Sequence, residues 1–75
     1  MRTLLRIAAG GKEVTRIWGP MPFVLYDARD ICRKIGSGVI ERLDEKRREA
    51  VLVEEWSDGQ VLHSVPSEVY EQPYL

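Results

Sequence analysis

YDARDICRKIG, residues 26 to 36, packs a start signal, a periodic stripe and a stop signal into one short stretch. Asp27 is a residue type that caps helix N-termini, and Asp30 follows where a carboxylate suits the positive end of the helix dipole. Ala28, Ile31, Cys32 and Ile35 then recur at the spacing of one buried helical stripe. Gly36 is the expected left-handed stop, with Arg33 and Lys34 well placed in the last turn. The stretch therefore predicts a helix with an apolar face and an Arg/Lys face.

On its N-terminal side the chain reads as strands. TLLRIAA (3–9) and KEVTRIW (12–18) flank Gly10-Gly11, a two-residue hairpin signal. In the second run Val14, Arg16 and Trp18 share one side, and Thr15 and Ile17 the other. GPMP (19–22) ends that strand, and the apolar run FVLY (23–26) predicts a third one. On the C-terminal side Ser37 can cap a second helix, with Val39, Ile40 and Leu43 as its apolar side. DEKRRE (44–49) is a solvated connection. The runs 50–56 and 60–65 form a last hairpin through Asp58-Gly59, and Ser67 opens a final helical turn. The predicted order is β-β-β-α-α-β-β with a short helical tail. This is an α+β fold in which antiparallel hairpins pack on one or two short helices, within one domain spanning residues 1–75.

Composition narrows the function. At 44% hydrophobic and 31% charged residues the chain has the make-up of a globular protein. Its one cysteine, Cys32, excludes an internal disulfide, and the N-terminus lacks a signal-peptide run, so the expected location is the cytoplasm, without a membrane span. Residues 1–40 carry seven basic residues against three acids (net +4), and residues 41–75 carry four against nine (net -5). Such polarity fits a one-sided binding surface, and a chain this short could also gain stability as a homodimer.

No catalytic constellation is expected. His63 is the sole histidine and sits in a strand, and Cys32 falls on the apolar stripe. Glu54 and Glu55 are adjacent in a strand and point to opposite faces. Metal-ligand spacing and phosphate-loop motifs are absent from the sequence, so neither an enzyme nor a cofactor is predicted. Trp18, Trp56, Tyr26 and Tyr70 read as core and core-edge anchors, and Tyr74 and Leu75 as apolar residues that something must cover.

From Lys12 to Tyr70 the chain resembles the N-terminal domain of the BRO family, found in phage antirepressors and large-virus Bro proteins. PFVLYDARDICRKIG is similar to the family's aromatic and apolar entry into a helix ending Leu-Gly or Ile-Gly. ERLDEKRREAVLV resembles its Leu-Asp-x-x-x-Lys linker before a strand, and DGQVLHSVPSEVY its Gly-x-Gln strand followed by a helix start. Where members carry Glu-x-Gly-Leu-Tyr, this chain has the shorter Glu68-Val69-Tyr70, as in a short or diverged member. The resemblance implies a phage-type DNA-binding transcriptional regulator. Arg29, Arg33, Lys34, Arg47 and Arg48 are its candidate phosphate contacts to double-stranded DNA. The rival expectation is an accessory protein that binds and inhibits a host protein, an antirepressor or anti-defence inhibitor. Its Glu54, Glu55 and Asp58 would imitate a phosphate backbone.

Overall fold

A computed structural model describes residues 2–70. Its elements run β1 (Arg2–Ala9), β2 (Lys12–Pro20), α1 (Phe23–Ile35), β3 (Gly38–Asp44), β4 (Glu49–Ser57), β5 (Gln60–Ser64) and α2 (Ser67–Tyr70). The five strands form one antiparallel sheet in the order β2-β1-β3-β4-β5, so the fold is α+β. β1 separates β2 from β3, and α1 crosses over it to connect the two.

Two predicted elements change type. FVLY is the first turn of α1: Leu25 N–H and Tyr26 N–H both donate to the Pro22 carbonyl, at 3.0 and 3.2 Å. A four-residue apolar run has no period of its own, and here it extends the helical stripe backwards. Val24, Leu25, Ala28 and Cys32 are the buried residues of α1, Ile31 is half-buried, and Ile35, at the far end of the predicted stripe, is 44% exposed. Asp27 lies inside the helix instead of capping it, and the cap position is Pro22. Gly36 closes the helix at φ 96°, its N–H donating to the Cys32 carbonyl.

The predicted second helix is β3. Its buried positions alternate strictly and are Gly38, Ile40, Arg42 and Asp44. Three of these four are a glycine or charged, which hides a two-residue period from any reading that looks for apolar residues. Both predicted hairpins form, at Gly10-Gly11 and Asp58-Gly59, and residues 45–48 make a third between β3 and β4. Asp44 shapes that turn by accepting the backbone N–H groups of Lys46 and Arg47 at 3.1 and 3.3 Å.

The core lies between α1 and one face of the sheet. Leu5, Ile7 and Ile40 from the central strands cluster with Val24, Ala28 and Cys32 from the helix, and Trp56 and Tyr70 flank them. Each fully buried aliphatic side chain contributes roughly 1.5–3 kcal/mol. Gly38 sits where β3 passes against α1. A Cβ there would lie 3.2 Å from both the Cys32 Sγ and the Ala8 carbonyl oxygen, at a φ of +151°. Among the described residues, nothing packs across the other face of the sheet.

Candidate functional site

The five predicted phosphate contacts do not share a surface. Arg33 and Lys34 are exposed near the C-terminal end of α1, beside the start of β3. Arg47 and Arg48 lie in the turn after β3, a strand of seven residues away, about 20 Å. Arg33 is paired with Asp30 at 2.6 Å, and its guanidinium carbon lies 5.6 Å from the centre of the Trp56 ring. Arg47 pairs with Asp44 at 3.7 Å, and Arg48 adopts a left-handed φ of 54° within the turn.

Arg29 departs furthest from its expected role. Its Nε donates to Glu54 Oε1 and Oε2 at 3.0 and 3.2 Å, and its Nη2 to Oε2 at 2.9 Å. The carboxylate also accepts the Trp56 indole N–H at 2.8 Å and the Ser64 hydroxyl at 3.2 Å. Burial pushes the Glu54 carboxyl up, but the hydrogen bonds from Arg29, Trp56 and Ser64 and the charge of Arg29 outweigh it. Glu54 therefore sits below the ordinary carboxylate range. The hydrogen bond to Glu54 in turn raises Arg29. Arg29 is thus a structural cation holding α1 to β4.

Glu54 is 2% exposed, so it cannot present a phosphate-like charge. Glu55 is half-buried opposite His63, and Asp58 is exposed in the β4–β5 turn. The three acids of the phosphate-mimic expectation therefore do not form one charged surface. His63 is itself exposed, and burial raises the Cys32 thiol. Among the described residues no group of three His, Cys, Asp or Glu is placed to hold a metal ion, and no helix is long and apolar enough to cross a membrane.

The open face of the sheet is ordered in rows. Trp18 pairs with Leu4, and Leu43 with Ala50. The β1–β3 register, continued by one residue, sets Leu4 beside Leu43, so the four form an apolar row across four strands. The next row is Arg16, Arg6, Glu41 and Leu52. Its two neighbouring arginines are neutralised: Arg6 bonds Glu41 at 2.8 Å, and Arg16 bonds Glu13 at 2.8 Å. Trp18 is 60% exposed instead of buried, and Tyr26 is exposed too, while Trp56 and Tyr70 are in the core as expected. At the apolar end of this face is a groove of about 650 Å³, floored by Leu4, Trp18 and Leu43 and edged by Arg2, Lys46 and Arg47. Its size is that of a ligand-binding cleft.

No protein-family model, curated protein or solved structure matches the chain. The site therefore has to be read from its own chemistry. The strand alternation placed Trp18 beside Arg16 and away from Ile17, and that was the available signal for a tryptophan outside the core. Tyr74 and Leu75, expected to need cover, lie outside the described residues.

Proposed function

We propose that the chain is a binding module that takes a protein partner on the open face of its sheet. The observation behind this reading is Trp18, exposed on a face that no other described element covers and aligned with Leu4 and Leu43 in a groove. Tryptophan and arginine side chains at a concave apolar patch are the residue types that dominate protein interfaces. The BRO resemblance supplies the biological setting, a phage-type regulator or antirepressor that acts by occupying another protein. Retention of a partner from host lysate is the test. Trp18→Ala should abolish capture, and Arg33→Glu with Lys34→Glu should leave it intact. Equal capture by the Trp18→Ala protein counts decisively against the open face.

Double-stranded DNA binding is the second reading, favoured by one observation: Arg47 and Arg48 occupy an exposed turn at the same end of the sheet as Arg2 and Lys46. Contacts of that kind reach phosphate oxygens and weaken steeply as salt rises. A mobility-shift titration at about 50 mM salt decides it. Binding lost on Arg47→Glu with Arg48→Glu supports this reading, and a duplex that never shifts at that salt removes it.

A further inference from the structure

The groove at Trp18 combines an apolar floor with a cationic rim, and the two features together specify an occupant. Trp18, Leu4 and Leu43 offer a flat apolar strip, continued by Ala50. Adjacent strands are spaced by about 4.8 Å, so the strip runs for about 14 Å, room for roughly four extended residues with one or two large side chains laid down.

The rim is asymmetric in charge. Arg2 projects from the same side of β1 as Leu4, two residues away, and Lys46 and Arg47 come from the β3–β4 turn at the same end of the sheet. Of the two carboxylates along the groove, Asp44 is buried and turned into its own turn, where it accepts two backbone N–H groups. Glu45 remains as the exposed counter-charge among the described residues that line the groove. Arg47 is held by Asp44 at 3.7 Å, so Arg2 and Lys46 are the exposed cations beside the apolar strip and face a single solvated acid.

Resting on the reading of the open face as a protein-binding surface, we infer that the groove takes an acidic peptide segment anchored by an apolar side chain. The anchor lies on Trp18, Leu4 and Leu43, and flanking carboxylates meet Arg2 and Lys46 at the basic end of the groove. A longer polyanion fits less well. Beyond the groove the next row of the same face holds Arg16 and Arg6 already tied to Glu13 and Glu41, and Glu55 lies in the row after it, so a phosphate backbone continuing over the sheet would meet neutralised pairs and then an acid. A short segment touches only the basic end.

The two tryptophans provide the readout. In a ¹H–¹⁵N spectrum Trp56, hydrogen-bonded to Glu54 and buried, reports on the core, and Trp18 reports on the groove. The probes are a short synthetic peptide with a Phe-Leu centre flanked by glutamates, its counterpart flanked by lysines, and a single-stranded oligothymidine. The acidic peptide should move the Trp18 indole signal and leave that of Trp56 in place, with the lysine peptide bound more weakly. Arg2→Glu combined with Lys46→Glu should weaken the acidic peptide by about tenfold, as two exposed attractions become repulsions, and should favour the lysine peptide. Both sites are exposed, so the fold survives the change.

Equal or tighter binding of the lysine peptide at Trp18 overturns the charge assignment and leaves the protein-binding reading standing. Tighter binding of the oligothymidine overturns both in favour of nucleic acid. If neither peptide moves the Trp18 signal, the acidic-segment inference falls. Whether the broader reading falls with it is then answered by partner capture with Trp18→Ala.

Discussion

Arg29 of α1 and Glu54 of β4 are joined by two donor nitrogens, at 3.0 and 2.9 Å, across twenty-five positions of sequence. The carboxylate is almost fully buried, and the guanidinium is its main compensation. Removing the cation strands a buried charge, which costs about 3–5 kcal/mol. Arg29→Met should therefore lower the urea midpoint severely, whereas the exposed Arg33→Met should shift it little. Matching midpoints for the two variants would show that the pair contributes nothing special.

The same carboxylate sets an acid limit. The folded state holds Glu54 below its unfolded value of about 4.3, so the unfolded chain binds the extra proton. The stabilisation is complete above about pH 4.3 and is lost as pH falls through the lower folded value. Urea melts between pH 3 and 6 should show this loss, and Glu54→Gln should be less stable at pH 6 yet flatter below pH 4.

Gly38 is predicted to be irreplaceable by alanine. An added methyl would press on Cys32 Sγ and the Ala8 carbonyl at a backbone angle that suits glycine. Gly38→Ala should cost about 1–3 kcal/mol, measured by chemical denaturation. A neutral result would mean that β3 can shift away from the helix.

The tryptophans should behave oppositely. Trp18→Ser removes an exposed ring and should change stability by less than about 0.5 kcal/mol. Trp56→Phe keeps an aromatic side chain but takes a donor from a buried carboxylate, costing about 1–3 kcal/mol. Acrylamide should quench Trp18 strongly and Trp56 weakly in the native protein.

Cys32, fully buried and with its thiol raised by burial, should resist alkylation until the chain opens. Its labelling rate in increasing urea, followed by mass spectrometry, should track unfolding. Rapid labelling in buffer alone would show that α1 lifts from the sheet independently.

What was legible in the sequence depended on how each signal is encoded. Gly10-Gly11, Asp58-Gly59 and Gly36 act locally through backbone angle, and all three mark the turns and the stop that they predicted. The helix start was misplaced because Asp27 imitates a cap while Pro22, four residues before Tyr26, supplies the actual entry. β3 was misread because Arg42 and Asp44 occupy inward positions, a choice that depends on tertiary surroundings. The basic face of α1 looked uniform for the same reason. Arg33 has Asp30 one turn before it, but nothing local reveals that Arg29 finds Glu54, twenty-five positions away.

The position of β1 has a consequence for how the chain is made and cut. β1, made before the strands that flank it, is an interior strand of the sheet, hydrogen-bonded on both sides. Its hairpin with β2 can close early, but its other edge waits until residues 38–44 have been synthesised and α1 has crossed over. In that interval a nascent chain presents a bare strand edge bearing Leu5 and Ile7 to its neighbours, the form most prone to mispairing. Removing β1 would likewise split the sheet through its middle, leaving β2 without a strand partner.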